Sequence, residues 1–187
     1  MSTTELPDRT KSKMREDISF QTSDGVTLRG WFYKPSSSSS STSTSSTTKL
    51  PCLVMAHGFS ALKEMDLDAF AEAYVSALPI SCLVYDNRGF GASDAKGGSP
   101  RQEIIPSVQI SDYQDAITHA QMREDVDGAR IGVWGSSYSG GHVIVVSLWC
   151  SISGQPVKSW LSRCCGGQGK MKSLQMGVAQ MLWLLCG

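Results

Sequence analysis

The pattern of apolar and polar positions predicts strands that alternate with helices along the chain. Residues 17–21 and 26–33 alternate with period two around the turn signal Asp24-Gly25, which predicts a β-hairpin. Residues 50–56 and 80–85 are continuous apolar runs, as in strands that are buried on both faces of a parallel sheet. A third apolar stretch, 131–134, predicts another strand of that sheet.

Helical spacing separates these strands. Apolar residues recur on one helical face over 67–78, before Pro79, and helical spacing returns over 112–122 and 142–148, whereas 99–107 suits a loop. The order is a hairpin followed by three strand–helix pairs. It predicts an α/β fold: an N-terminal β-hairpin and a mostly parallel sheet flanked by helices.

Three loops fall at the carboxyl ends of the predicted parallel strands. Their sequences are HGF at 57–59, DNRGFGAS at 86–93 and GSSYSGG at 135–141. In open α/β sheets the chemistry lies beyond this edge, so we expect the functional site among these three loops.

The third loop has the pattern of a strand–turn–helix that exposes a serine nucleophile. Ser137 is the candidate, because small residues two before and two after it, Gly135 and Ser139, let strand and helix pack closely. Gly140 supports the same turn. A competing register makes Ser139 the nucleophile, and a simple structural turn is the third interpretation.

Composition narrows the function. Seventeen basic and seventeen acidic residues cancel, which argues against nucleic acid or an anionic membrane as partner. The sequence shows no signal peptide and no membrane-spanning run, so we expect a cytoplasmic protein. Its six cysteines lack metal-ligand spacing, and 57–60 lacks a dinucleotide fingerprint. Neither a metal nor a cofactor is expected.

Together, the three loops resemble the α/β-hydrolase superfamily over residues 18–146. HGF, D-x-R-G-x-G-x-S and WGSSYSGG occur in the order and spacing of that superfamily. The stretch HGFSALKEMDLDAFAEAY and the aromatic residue in GSSYSGG are similar to the peptidase and esterase branch, related to Xaa-Pro dipeptidyl-peptidases and serine aminopeptidases. Fungal polyketide-transferase-type members are similar too.

The resemblance implies a serine hydrolase that acts on a small-molecule ester, thioester or peptide through an acyl-enzyme on Ser137. The backbone N–H groups of Tyr138 and Phe59 would stabilise the oxyanion. His57 and Gly58 would support that loop, the imidazole by propping its backbone. An acyl or polyketide transferase on the same fold is the alternative.

The partners of Ser137 are not found in the sequence. The superfamily places an acid and then a histidine after the serine, yet no Asp or Glu follows Asp127 and the three histidines are His57, His119 and His142. We expect His119 to be solvated on a surface helix, His142 to lie in the core, and Asp86 to have a structural role. The triad acid and histidine stay unassigned, so we expect the activity to be impaired in this chain. An inactive truncated product or a binding module is a further alternative.

Four segments are expected from composition. They are a polar leader (1–16), the N-terminal part of a hydrolase domain (17–146), a flexible Ser/Thr-rich loop within it (35–49) and an aberrant tail (147–187). The tail lacks acids and is rich in Cys, Trp and Gly, which suggests a retained intron or a frameshift in place of later strands. The strand at 131–134 would then be a sheet edge. The oligomeric state is left open.

Overall fold

A six-stranded sheet flanked by three helices forms the described part of the chain. The computed structural model describes residues 15–35, 49–154 and 157–162, the last of these by backbone alone. The elements in chain order are β1 (Arg15–Gln21), β2 (Thr27–Tyr33), β3 (Leu50–Ala56), α1 (Leu67–Ala77), β4 (Ser81–Tyr85), α2 (Pro106–Gln121), β5 (Val126–Ser136), α3 (Tyr138–Ile152) and β6 (Val157–Ser162).

The strand order is β1-β2-β4-β3-β5-β6. The β1–β2 hairpin is antiparallel and adds to β4 in antiparallel fashion, whereas β4, β3, β5 and β6 are parallel. In this register Ala56 pairs with Tyr85 on one side and with Gly135 on the other. The three loops after β4, β3 and β5 therefore leave the sheet side by side.

Strand β3 shows why a continuous apolar run is needed at the centre of the sheet. Cys52, Val54 and Ala56 belong to the core under α2 and α3. The alternate residues Leu53 and Met55 belong to the core under α1. Both faces are covered by helices, so a polar side chain at any position of this strand would be buried away from water, which is unfavourable.

The predicted α/β architecture is confirmed, and three local expectations are wrong. Helix α2 begins at Pro106 rather than at residue 112, since proline fits the first helical turn, where its missing N–H has no partner. Helix α3 covers 138–152 rather than 142–148. Strand β6 pairs in parallel with β5 from Ile131 to Ser136, so β5 is not the sheet edge.

Helix α3 keeps one apolar face exposed. The exposed side chains are Ile144, Val145, Leu148, Trp149 and Ile152. None of the helices in the described ranges is long and apolar enough to cross a membrane. Residues 1–14 of the predicted leader, most of the Ser/Thr-rich loop and the end of the predicted tail lie outside the described residues, whereas Arg15 and Glu16 already belong to β1.

Candidate active site

The turn between β5 and α3 holds Ser137 in a strained backbone conformation. Its φ of 50° and ψ of −112° lie outside the regions that L residues normally occupy. The residue is exposed, at the N-terminal end of a 15-residue helix. A sharp strand-to-helix turn of this kind presents a serine hydroxyl above the sheet. The helix N-terminus also places partial positive charge beside it.

The close packing around this turn depends on Gly135. A Cβ added there would lie 2.2 Å from the carbonyl oxygen of Ser139, so strand and helix could not approach as they do. Ser139 itself is fully buried, and its hydroxyl donates a hydrogen bond to the carbonyl of His57. In the competing register the nucleophile would therefore be an inaccessible hydroxyl that is already bonded.

The loop after β3 lies directly against this turn. A Cβ on Gly58 would be 3.2 Å from the Cβ of Ser137 and 3.8 Å from its Oγ. The rings of Phe59 and Tyr138 meet edge to face with their centroids 5.8 Å apart. The two residues predicted to donate oxyanion N–H groups are thus neighbours at the edge of the sheet, and the ring of Phe59 is 65% exposed.

His57 is buried, and its ring holds backbone groups. Its Nδ1 lies 3.0 Å from the carbonyl oxygen of Gly58, and the backbone N–H of Asn87 donates to its Nε2 at 3.3 Å. Burial lowers the pKa of His57, so the imidazole stays neutral. With both ring nitrogens engaged, this histidine supports the loop and is not free to take a proton from Ser137.

Among the described residues, neither of the other two histidines is hydrogen-bonded to the Ser137 hydroxyl. The sequence predicts a solvated His119. In the structure His119 is instead partly buried, and it stacks on Phe20 with ring centroids 5.0 Å apart. His142 is buried on α3, as expected, with its ring 4.8 Å from that of Tyr138. Neither ring nitrogen of His142 has a hydrogen-bond partner among the described residues. Burial lowers the pKa of both histidines.

The polar side chains of the loop after β4 hold this loop to neighbouring elements. The Arg88 guanidinium makes two hydrogen bonds, of 2.7 and 2.5 Å, to the buried carboxylate of Asp112. Ser93 donates to the carbonyl of Asp86 at 2.7 Å and accepts the N–H of Arg29 at 2.9 Å. Gly91 has a φ of +48°, and a Cβ on it would lie 2.2 Å from the Asp86 carboxylate. The geometry here matches the structural role predicted for Asp86.

Two residues near the site carry contacts that the sequence did not reveal. Lys63 is buried, and its ammonium lies 2.5 Å from Asp86. The hydroxyl of Tyr113, on α2, lies 2.7 Å from the carbonyl oxygen of Val54 and 2.8 Å from that of Trp134, and so joins β3 to β5 beneath the turn. Helical spacing predicts that Tyr113 is buried, but no local signal identifies the partners of its hydroxyl.

The strand order and the sharp turn at Ser137 are those of the α/β-hydrolase fold. No model of a known protein family matches the sequence. The chain is 38% identical to a thiohydrolase of Eupenicillium brefeldianum over 125 residues, which are 67% of this chain and 36% of that protein. It is 35% identical to a polyketide transferase of Aspergillus fumigatus, over 78% of this chain and 47% of that protein.

A solved structure supports the same assignment. The α/β-hydrolase GrgF from Penicillium sp. sh18 superposes with a TM-score of 0.61 at 32% identity, over 71% of this chain and 41% of that one. The described residues therefore have the α/β-hydrolase fold, and the chain is similar to a thiohydrolase and a polyketide transferase. It spans less than half the length of these three proteins.

Proposed function

We propose that the chain is an acyl hydrolase in which Ser137 attacks the carbonyl carbon of an activated ester or thioester. The strained and exposed position of Ser137 at the start of α3 carries this proposal. A fold normally avoids such a backbone conformation, and strain of this kind is concentrated at functional sites.

The chemistry is acyl transfer in two steps. The Ser137 oxygen bonds to the carbonyl carbon, and its proton leaves through solvent or a base. The tetrahedral oxyanion accepts hydrogen bonds from the N–H groups of Tyr138 and Phe59, each of which contributes about 3 kcal/mol in the transition state. Collapse breaks the bond to the leaving thiol or alcohol, which takes up a proton, and water then hydrolyses the acyl-serine.

The nature of the leaving group favours a thioester or ester over a peptide. An amine leaves only when an acid protonates it, whereas a thiol leaves readily as its anion. None of His57, His119 and His142 is hydrogen-bonded to Ser137, so among the described residues no imidazole is in place for that proton transfer. The thiohydrolase relative supports the same substrate class by its name.

We further infer that the substrate acylates Ser137 slowly when only the described residues assist the reaction. Loss of one triad member lowers kcat by about 10⁴- to 10⁶-fold in a serine protease. Without a bonded histidine and acid, turnover at Ser137 should be far below that of an enzyme with a complete triad. A reagent with a good leaving group should still react with Ser137.

Labelling with a fluorophosphonate tests the nucleophile. We expect one adduct, located at Ser137 by peptide mass mapping and absent from Ser137→Ala. Ser139→Gly tests the competing register: it removes that hydroxyl, so labelling should stay at Ser137, at a lower rate because the bond to the His57 carbonyl is lost. Labelling of Ser137→Ala at the wild-type rate would overturn the proposal. So would a folded wild-type protein that does not label, and this second result would favour the binding-module alternative.

Acyl transfer is the second candidate, favoured by the relative that is named a polyketide transferase. It differs only in the nucleophile that resolves the acyl-serine. A thioester incubated with and without an alcohol acceptor, with products separated by mass, distinguishes the two reactions. Free acid in both samples indicates a hydrolase, whereas ester formation in place of free acid indicates a transferase.

A further inference from the structure

The loop between β3 and α1, residues 57–66, carries Phe59 in an irregular conformation. Ser60 and Asp66 have φ values of 54° and 70°, which each cost about 1 kcal/mol or more for a residue other than glycine. Contacts outside the loop must therefore hold it in place.

One set of contacts holds the start of the loop. The carbonyl of His57 accepts a hydrogen bond from the Ser139 hydroxyl, and the His57 ring accepts the N–H of Asn87. These bonds fix the peptide before Gly58 to both neighbouring loops. They leave the segment after Phe59 without support from that side.

The Asp86 carboxylate holds the other end of the loop. Its Oδ1 accepts the backbone N–H of Lys63 at 2.9 Å, and its Oδ2 accepts the Lys63 ammonium at 2.5 Å. The same Oδ2 accepts the N–H of Ala92 at 3.0 Å. One carboxylate thus joins the loop after β3 to the loop after β4.

Burial makes this contact dependent on charge. The side chain of Asp86 is fully buried and that of Lys63 is 5% exposed. The Lys63 ammonium also lies 4.7 Å from the ring centroid of Trp31 and 2.6 Å from Glu64. Burial opposes the charged ammonium, but its bonds to Asp86 and Glu64 outweigh this and raise the pKa of Lys63. Removal of the Lys63 charge leaves the buried Asp86 carboxylate without its counter-ion.

We propose that Lys63 is a positioning residue, which acts through Asp86 to fix the loop and thereby the Phe59 N–H that faces the oxyanion. Lys63 itself does not contact the reacting atoms. The catalytic part of this inference rests on the proposed function of Ser137, whereas the placement of the loop does not.

Amide hydrogen exchange tests the placement of the loop. In Lys63→Met we expect the hydrogen-bonded amides of residues 61–63 to exchange about tenfold faster, and those of β5 to keep their rates. Lys96→Met is the matched control, since Lys96 also pairs with an aspartate, Asp24, but is half exposed and lies in another loop. Unchanged exchange at 61–63, or an equal increase throughout the chain, would overturn the proposal. Lys63→Gln replaces Lys63→Met if that variant does not fold.

The labelling rate tests the positioning of the oxyanion donor. We expect the maximal rate constant for phosphonylation of Ser137 to fall about 10- to 100-fold in Lys63→Met, with the reagent concentration for half-maximal rate unchanged. A purely structural role would lower the amplitude of labelling and leave the rate constant unchanged, and that result would overturn the positioning role. If wild-type Ser137 does not label, the proposed function fails, while exchange still decides whether Lys63 fixes the loop.

Discussion

Two loops rich in glycine and serine leave the same edge of the sheet and use their serines in opposite ways. In the loop after β4, Ser93 is fully buried and bonds to the backbone of Asp86 and Arg29. In the turn after β5, Ser137 is exposed on a backbone with positive φ. One hydroxyl completes a hydrogen-bond network, and the other is presented to solvent at a cost in strain.

This difference separates structure from function better than composition does. A serine that satisfies buried backbone groups stabilises the fold and is not available as a reagent. An exposed serine with a strained backbone does not stabilise the fold in this way, so its conformation indicates a functional role. The loop after β4, residues 86–93, is therefore a structural brace. The turn after β5, residues 135–139, is the candidate reactive turn. Substitutions should affect the two loops in different ways.

The largest effect is expected in the brace, at Arg88. Arg88→Met leaves the buried Asp112 carboxylate without its partner, which should lower the free energy of unfolding by about 3–5 kcal/mol. Arg130→Met is the control, because Arg130 pairs with Asp127 at the surface, where such a pair contributes about 1 kcal/mol or less. Urea unfolding measures both. Equal losses in the two variants would contradict the assignment of the brace.

Gly135 is the most sensitive position of the reactive turn. Gly135→Ala places a methyl group against the backbone of Ser139 and should cost about 1–3 kcal/mol. Gly141→Ala is the matched control, because nothing lies within 4 Å of a Cβ there and alanine favours a helix by about 1 kcal/mol. Thermal unfolding should shift in opposite directions for the two variants. A shift in the same direction would show that the tight turn is not required.

Substitution of the two serines compares the loops directly. Ser93→Ala leaves the N–H of Arg29 and the carbonyl of Asp86 without that partner and should cost about 1–3 kcal/mol. Ser137→Gly removes the strain of a positive φ and should stabilise by up to about 1 kcal/mol, while Ser137→Ala keeps the strain and should not. Loss of stability in Ser137→Gly would mean that the turn is not strained.

The sequence predicts the fold well where the physics is local to a segment. The apolar run of β3 and the helical spacing of α1 are sufficient to identify those elements, because burial on two faces or one face sets the pattern directly. Strand β6 is missed because VKSWLS mixes polar and apolar residues in neither pattern, and its conformation depends on pairing with the distant β5.

The candidate site could be predicted only in part. Ser137 is identified as the candidate because a strand, a tight turn and a helix follow in order, and the structure places it on that turn. Lys63 is not identified, since a lysine in a polar loop reads as solvated and its partner lies 23 positions away. Ser93 and Ser137 are the same residue type in similar loops, so only the folded geometry tells the brace from the reactive turn.

His57 joins the two loops, and its contribution to stability depends on pH. Its ring accepts the N–H of Asn87 from the brace, and its carbonyl accepts the Ser139 hydroxyl from the reactive turn. Burial lowers the pKa of His57, and that of His142 in the same way. Each of these residues is therefore neutral in the folded state under conditions where it takes up a proton in the unfolded state.

The sign of the pH dependence follows. Below about pH 6.5 the unfolded state binds more protons, so the free energy of unfolding should fall with falling pH, by up to about 1.4 kcal/mol per pH unit for each such histidine. Urea titrations between pH 7.5 and 5.5 measure this slope. His142→Phe should flatten it at little cost at pH 7.5, because that ring has no hydrogen-bond partner among the described residues. His57→Phe should flatten it too, but at a cost of about 1–3 kcal/mol, since it leaves the N–H of Asn87 unpaired. Equal costs at pH 7.5 would show that His57 does not join the loops.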